Sequence, residues 1–391
     1  MEALKPGAGE NIPAENEIRR YGRQIIIPEI GWDGQNRLKQ ARVLVVGAGG
    51  LGSPVVLYLA AAGVGCIGLV DADMVDESNL QRQVLYAARD VGCPKARSAR
   101  DRILALNPLV RAIAFETVLD SANAMEIIGD FDAVVDCSDN FPTRYLVNDA
   151  CVLLGKPNVF GAVQRFEGQA SVFAAPNAPC YRCFFAEPPG PGAAPTCAEA
   201  GVLGVLPGII GCIQAAETIK LLLGAENTLA GRLLLVDAWT MRFRELAVRK
   251  DPRCPVCGEN PCIRELIDYR AFCGVGKSGV AEENRSINAL ALKAMMEMDP
   301  RLKIVEIREP HESELVAFPN RSVMTLREVR QRRNEFDPSR VVVFACKFGI
   351  RSGYAVRLLV ETGYAGKVFN LRDGIFGWMR EIGKPFSGDG G

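Results

Sequence analysis

The sequence predicts an α/β fold: a doubly wound, mostly parallel sheet with an antiparallel extension, followed by a second, smaller α/β domain. Three observations predict it. Short apolar strand patterns alternate with helical stretches from Arg42 to Phe160, as in parallel sheets whose strands are joined by crossover helices. A glycine-rich turn, Gly47-Ala-Gly-Gly-Leu-Gly52, stands at the first strand-to-helix junction. The alternation resumes after a stretch between Cys257 and Arg285 dominated by glycine, asparagine, proline and charges.

Taken in order, Arg42-Val-Leu-Val-Val46 is a short buried strand, Pro54 to Ala62 a helix and Cys66-Ile-Gly-Leu-Val-Asp71 a second strand. With the glycines at its first turn, this is a Rossmann-like βαβ unit of about 30 residues. A helix follows near Lys95 to Leu106, then strands near Ile113 and at Ala133-Val-Val-Asp136, a helix from Pro142 to Leu154 and a strand at Asn158-Val-Phe160. From Gly168 to Ala175 and from Arg232 to Val248 the connections shorten, which predicts the antiparallel addition. Glu187 to Ala200, rich in Pro, Gly and Ala, reads as a mobile crossover loop. The smaller unit offers a helix at Ile287 to Met298 and strands at Lys303 to Arg308 and Val341 to Ala345. A helix at Ser352 to Thr362, a strand at Lys367 to Asn370 and a helix at Ile375 to Arg380 follow. The expected organisation is a first domain over 1–260, a linker over 261–285 and a second domain over 286–391.

A chain of 391 residues is long enough for two or three domains. With 48% hydrophobic and 24% charged residues it is not globally disordered. Lysine plus arginine and aspartate plus glutamate are 46 each, so no net field holds nucleic acid or an anionic membrane. An anionic ligand must be gripped by a few placed cations. The first twenty residues carry charges and no apolar run, so no signal peptide is expected. The apolar run Val202 to Ile213, which contains Pro207, is expected to be too short to span a bilayer. These features predict a soluble, cytoplasmic protein. Thirteen cysteines, an odd number, are too sparse for a disulfide scaffold and read as metal ligands, nucleophiles or core fillers. The single histidine, His311, weighs against histidine-dependent triads and is left to packing or solubility.

Gly47, Gly49 and Gly52 fit G-x-G-x-x-G, and Asp71 ends the second strand 19 residues after Gly52. Glycine lets backbone amides approach phosphates at a helix N-terminus, and the carboxylate can accept from ribose hydroxyls. That pattern alone suits an NAD(P)-dependent oxidoreductase, or mere packing. The segments around it shift the reading. Asp71-Ala-Asp73-Met-Val-Asp-Glu-Ser78-Asn79-Leu-Gln-Arg82-Gln supplies acids, an amide and a cation. Lys95 opens the next helix, Asp136-Cys-Ser-Asp139-Asn140 ends a strand, and Arg20-Tyr-Gly-Arg23-Gln24 lies upstream. A triphosphate attacked at its α-phosphorus needs cations for the departing pyrophosphate and a carboxylate for Mg²⁺. Arg23, Arg82, Lys95 and Asp139, expected in strand-end loops of one sheet, suit that task; the alternative is solvated surface charge.

Cys180-Tyr-Arg-Cys183 and Cys254-Pro-Val-Cys257-Gly are two C-x-x-C turns. Together they predict a four-cysteine zinc site with a scaffolding role, since four thiolates leave no open position; redox pairs are the alternative. Two further cysteines have the context of nucleophiles. Cys346 begins Cys346-Lys-Phe-Gly-Ile-Arg351-Ser352 between a strand and a helix, where inward amides and a guanidinium stabilise an anionic sulfur; the alternative is an inert buried thiol. Cys197, in the mobile loop, can swing to an activated acyl group, or be an ordinary loop cysteine. Cys66, Cys93, Cys137, Cys151, Cys212, Cys262 and Cys273 read as fillers.

Arg-Tyr-x-Arg-Gln, Gly-Ala-Gly-Gly-Leu-Gly, Asp-x-Asp-x-Val-x-x-Ser-Asn-Leu-x-Arg-Gln, Gly-x-Pro-Lys and Asp-x-x-Asp-Asn, spread over Ile18 to Cys257, resemble the MoeB/ThiF family, relatives of ubiquitin-activating enzymes. Members adenylate the C-terminal glycine of a ubiquitin-like sulfur-carrier protein, and the same two C-x-x-C pairs occur in them. The resemblance implies that Gly50 lies against the nucleotide and that Asp71 holds ribose. It implies that Asn79, Arg82 and Lys95 face phosphates and that Asp139 serves Mg²⁺ and catalysis; Ser78 and Asn140 belong to the same motifs. Arg23 resembles the arginine that reaches into the partner subunit's site, which implies a homodimer. Thr-Cys197-x-Glu-x-Gly matches the segment whose cysteine is implicated in a covalent link to the carrier.

From Ile287 to Phe386 the Cys346 loop, Glu306-Ile-Arg-Glu-Pro-His-Glu312 and Asn370-Leu-Arg-Asp-Gly-Ile375 with Trp378 resemble the rhodanese family. Glu306 stands where aspartate is usual, Asp373 where glycine is usual, and the Gly-His-Ile-Pro-Gly lead is missing before Pro319. Together the two resemblances are those of molybdopterin-synthase sulfurylases, which act in molybdenum cofactor biosynthesis. They imply ATP, Mg²⁺ and Zn²⁺, and a carrier ending in Gly-Gly. Carboxylate adenylation would be followed by attack of a Cys346 persulfide, charged by a cysteine desulfurase or thiosulfate, to give a thiocarboxylate. The alternatives are the oxidoreductase and a carrier-binding scaffold without sulfur transfer. The chain's own end, Ser387-Gly-Asp-Gly-Gly391, is expected to be a tail.

Overall fold

A computed structural model of the chain describes residues 15–189, 201–274, 285–308, 318 and 321–383. These divide into two compact units that meet in sequence between Cys273 and Gly274.

The first unit opens with two helices, α1 (Glu15–Ile25) and α2 (Gly31–Gln40). The Rossmann-like half follows: β1 (Arg42–Val46), α3 (Gly52–Ala62), β2 (Cys66–Val70), α4 (Lys95–Leu106), β3 (Arg111–Phe115), α5 (Ala124–Gly129) and β4 (Ala133–Asp136). Next come α6 (Phe141–Leu154), β5 (Asn158–Gln164), β6 (Glu167–Phe173), α7 (Tyr181–Phe184) and α8 (Leu206–Leu223). β7 (Arg232–Asp237), β8 (Arg242–Ala247) and α9 (Tyr269–Phe272) close the unit. The eight strands form one sheet in the order β3-β2-β1-β4-β5-β6-β7-β8. Pairing is parallel from β3 to β5 and antiparallel from β5 to β8, as the shortened connections predict. The strand order reverses direction between β1 and β4, and a crevice at such a switch point is where open α/β sheets bind ligands. Val43, Leu44 and Val45 of β1 and Val134 and Val135 of β4 are fully buried, so the two strands that flank the crevice are firmly packed.

One expectation is overturned here. The apolar run at Val202 to Ile213 leads into α8, a helix of 18 residues that by length and composition is long and apolar enough to cross a membrane. It packs against α3, β5 and β6 as a core helix, and being apolar around most of its circumference it lacks the amphipathic period that reveals surface helices. Pro207 does not interrupt it: the proline sits in the first turn, where no intrahelical partner is lost. Gln214, wholly buried on α8, donates from Nε2 to the Asp136 carbonyl at 2.8 Å and the Val159 carbonyl at 3.1 Å. It pins the helix across β4 and β5. α9, within the stretch expected as linker, is packed in this unit through Tyr269.

The second unit is a five-stranded parallel sheet, ordered β11-β10-β12-β13-β9. It comprises β9 (Ser286–Ile287), α10 (Ala289–Met298), β10 (Lys303–Ile307), β11 (Ser322–Met324), α11 (Leu326–Gln331), β12 (Val342–Ala345), α12 (Ile350–Glu361), β13 (Val368–Leu371) and α13 (Gly374–Glu381). Helices cover both faces. Ala355, Val356 and Leu359 of α12 pack on one face with Val305 and Phe344, and Leu292 and Trp378 pack on the other with Val343 and Ile304.

Candidate nucleotide cleft, metal cluster and sulfur loop

A cavity of about 270 Å³ opens at the β1–β4 switch point. Its wall carries Gly47, Gly49 and Gly50, together with Asp71, Arg82, Lys95, Asp139 and Asn140. Gly47 adopts φ +93°, and a Cβ there would stand 2.9 Å from the Cys137 carbonyl. A Cβ on Gly52 would fall 2.1 Å from the Gly47 carbonyl, so the turn closes only with glycine at both positions. Asp71, at the end of β2, accepts the Ala48 N–H on Oδ2 and the Asp73 N–H on Oδ1, both at 2.8 Å. Burial pushes its carboxyl above the ordinary value, against the opposing pull of Lys95 and the two amides. Lys95 is buried and its Nζ donates to Asp73 Oδ2 at 2.9 Å. Arg82 is half-buried, with Nη1 on the Ser78 carbonyl at 3.1 Å. Asp139 is exposed at the cleft wall beside Asn140, whose side-chain oxygen caps α6 by accepting the Thr143 N–H at 3.0 Å. An exposed carboxylate at the end of β4 suits a hard cation.

Three of the expected residues lie elsewhere. Arg23 is not in a strand-end loop: residues 15–25 wind into α1, which buries Tyr21 and Glu17 and leaves Arg23 exposed, outside the cleft lining. Ser78 and Asn79 belong to a 3-10 turn whose Ser78 N–H and hydroxyl are both held by Asp76, and neither residue lines the cleft.

Outside the cleft lining, Cys180, Cys183, Cys254 and Cys257 bring their sulfurs within 4.8 Å of one another. Sγ–Sγ separations are 3.9 Å for Cys180–Cys183, 3.5 Å for Cys180–Cys254 and 3.3 Å for Cys183–Cys257. A tetrahedron with metal–sulfur bonds of about 2.3 Å has edges of about 3.8 Å. The four thiols therefore fit a metal and can hold one. Gly258 allows the second turn to close, because a Cβ there would lie 2.5 Å from the Cys254 carbonyl. Between the first two ligands, Arg182 turns inward. Its Nε and Nη2 each reach the Asp149 carboxylate at 2.8 Å, Tyr269 Oη donates to the same carboxylate at 2.8 Å, and the guanidinium lies over the rings of Tyr145 and Phe272. This locks the first cysteine turn to α6 and α9.

In the second unit Cys346 directly follows β12 and is 2% exposed. The Ser352 hydroxyl donates to its Sγ at 3.3 Å, and the loop runs into the N-terminus of α12. Gly349, at φ +85°, is required: a Cβ there would lie 1.6 Å from the Arg372 carbonyl. The two departures from the rhodanese pattern are accommodated. Glu306 is fully buried, with Oε2 at 2.5 Å from Arg308 and 3.2 Å from Arg321, and Oε1 accepting the Phe318 N–H at 2.8 Å. Asp373 has φ −98°, open to any residue, and the left-handed position falls on Gly374 at φ +60°.

Residues 21–256 match the ThiF family, and residues 288–381 match the rhodanese-like domain. The chain belongs to the ThiF family. Among its relatives in that family, a sulfur carrier protein adenylyltransferase of Thermus thermophilus is 60% identical over 67% of this chain and 98% of its own length. A probable adenylyltransferase/sulfurtransferase MoeZ of Mycobacterium tuberculosis is 44% identical over 94% of each chain. The solved structure of E. coli MccB with ATP, at 22% identity, covers 65% of this ThiF-family chain and 77% of its own with a TM-score of 0.56, a likeness of fold.

Sequence reasoning missed Gln214, Arg182, Asp149 and Tyr86, whose roles come from long-range contacts; Arg182 alone carried a signal, its place inside a ligand turn. Of the cysteines read as fillers, Cys66, Cys137 and Cys151 are buried, whereas Cys93, Cys212 and Cys262 are exposed and fill no core. Cys197, His311, Pro319 and the Gly-Gly end lie outside the described residues.

Proposed function

We propose that this adenylyltransferase and sulfurtransferase activates the C-terminal glycine of a ubiquitin-like sulfur-carrier protein ending in Gly-Gly, and then places sulfur on it. The observation that carries the reading is that Arg82, Lys95 and Asp139 share one cleft with the glycine turn. The carrier carboxylate attacks the α-phosphorus of ATP; the bond to the β-phosphate breaks, and pyrophosphate leaves behind an acyl-adenylate. Amides of the Gly47, Gly49 and Gly50 turn and Lys95 and Arg82 offset the charge that grows on the departing pyrophosphate. Asp71 takes the ribose, and Asn140 at the cleft wall completes the nucleotide set. Asp139 would hold Mg²⁺, which supplies charge neutralisation of the triphosphate when bound. The exposed place of Arg23 on α1, outside its own chain's cleft, supports a role in the cleft of a homodimer partner.

Adenylation comes first because a carboxylate is a poor electrophile and AMP a good leaving group. Cys346 takes sulfane sulfur from a cysteine desulfurase or thiosulfate. Its terminal sulfur attacks the acyl carbonyl, AMP leaves, and an acyl disulfide forms. A thiol, from Cys197 or a small cellular thiol, then attacks the Cys346 sulfur and frees the thiocarboxylate; a second thiol reduces the disulfide left behind. The cysteine cluster would hold Zn²⁺, which as a closed four-sulfur centre supplies architecture only. Molybdenum cofactor biosynthesis is the pathway to which the resemblance points, alongside thiamine formation and tRNA thiolation, whose carriers also end in Gly-Gly, and the setting is the reducing cytoplasm.

Two assays test this reading on the full chain. Carrier-dependent exchange of labelled pyrophosphate into ATP should vanish in Asp139→Ala and persist in Cys346→Ala. Thiocyanate production from thiosulfate and cyanide should show the reverse. Normal exchange by Asp139→Ala would remove that carboxylate from the mechanism, and an oxidoreductase would show no exchange in the wild type.

A further inference from the structure

Four segments that line or support the nucleotide cleft are joined in a closed ring of hydrogen bonds. The Ala48 N–H of the glycine turn donates to Asp71, whose other carboxylate oxygen takes the Asp73 N–H. The Asp73 carbonyl accepts the Lys95 N–H at 2.9 Å, and its carboxylate holds the Lys95 ammonium. Tyr86 closes the ring. Its hydroxyl donates to the Ala48 carbonyl at 2.7 Å and lies 3.3 Å from the Lys95 carbonyl. Tyr86 is 7% exposed and forms no part of the cleft wall. Burial raises its phenol well above the ordinary value, so the hydroxyl remains a donor across the working pH range.

We propose that Tyr86 is a positioning residue for adenylation: its hydroxyl fixes the spacing between the glycine-turn amides and the Lys95 ammonium, the two groups that a triphosphate must bridge. The inference rests on the ATP reading above. Both backbone atoms of Ala48 are committed, the N–H to Asp71 and the carbonyl to Tyr86, so the turn can neither rotate nor drift from the start of α4. Such preorganisation matters because a triphosphate gains from donors already in place and loses where they must be gathered. Phenylalanine at position 86 would keep the ring packed in the core and leave the Ala48 carbonyl without its partner.

The test compares Tyr86→Phe with Tyr145→Phe in the full-length protein. Tyr145 is the matched control: a buried hydroxyl of the same unit that donates to a backbone carbonyl, that of Phe185, at 3.0 Å. In carrier-dependent pyrophosphate exchange, Tyr86→Phe should raise the KM for ATP about five- to tenfold and leave the KM for the carrier within about twofold. Tyr145→Phe should leave both near wild type, and thiocyanate production should be unchanged in both variants. An unchanged KM for ATP in Tyr86→Phe overturns the proposal, as does an equal rise in Tyr145→Phe. A Tyr86→Phe chain that fails to fold overturns it too, since the hydroxyl is then structural. Absence of exchange in the wild type would instead sink the adenylation reading, so the two failures are told apart.

Discussion

The Lys95 ammonium is held by the Asp73 carboxylate at 2.9 Å, although the lysine side chain is 8% exposed and the aspartate 73%. A nearly buried cation thus depends on a partner that stands in water. Phosphate entering the cleft would give the same ammonium a second anion. Asp73→Asn should therefore lower the stability of the nucleotide-free protein by about 1–2 kcal/mol, discounted from a fully buried pair because the acid is solvated. The gain in melting temperature on adding ATP and Mg²⁺ should be larger in the variant than in the wild type, because the nucleotide then supplies the missing charge. A thermal-shift comparison with and without nucleotide reads both effects; an equal gain in the two proteins would show that Lys95 does not reach phosphate.

The cysteine cluster predicts a single zinc per chain, released by thiol-modifying reagents and absent in Cys254→Ser. Because the two turns are far apart in sequence and a bound metal would tie them together, chelation should lower the melting temperature of the first unit and abolish pyrophosphate exchange. The second unit has its own core, so thiocyanate production should survive chelation. Metal analysis alongside both assays makes the check, and exchange that persisted in zinc-free protein would assign the cluster no structural role.

What the sequence made legible was chemistry attached to local pattern. The glycine turn, Asp71, Arg82, Lys95 and Asp139 sit where strand-and-helix alternation put them, and the C-x-x-C spacing sufficed to pair four sulfurs. What stayed hidden was set by tertiary contact. The apolarity of α8 gives no period, so only the sheet it packs against shows it to be a helix. Tyr86 and Gln214 are polar residues whose partners are 38 and 78 positions away, and no local signal marks them. Charge type does not fix location: Arg23 lies on α1 and not in a strand-end loop, because the helix is set by the packing of Tyr21 and Glu17.

Glu306 carries a further prediction. Its carboxylate is buried and shared between Arg308 and Arg321, with Phe318 N–H on the other oxygen. Glu306→Gln removes the charge those guanidiniums share and should cost the second unit about 2–3 kcal/mol, below a fully buried pair because Arg321 is 30% exposed. Glu306→Asp keeps the charge but draws it back by one methylene, which should cost about 1–2 kcal/mol. Denaturant unfolding followed through Trp378, 4% exposed in this core, measures both. A larger loss in Glu306→Asp than in Glu306→Gln would mean that reach, rather than charge, is what the site demands.

Asp136 at the end of β4 sets a pH dependence. It is 1% exposed, its Oδ1 accepts the Ser138 N–H at 2.9 Å, and its Oδ2 has no hydrogen-bond partner among the described residues. Burial pushes its carboxyl above the ordinary carboxylate value. A carboxyl whose folded value is raised favours the folded state fully only below the unfolded value, and this contribution is lost as the pH rises through the folded value. Wild-type protein therefore loses stability over that window while Asp136→Asn, which cannot ionise, does not. The variant's melting temperature should match the wild type near the bottom of the window and exceed it by several degrees above the folded value. Melting curves begun at the ordinary carboxylate value, about pH 4, and carried upward measure the gap. A gap that shrank with rising pH would mean that the charge on Asp136 is satisfied by a partner and is stabilising.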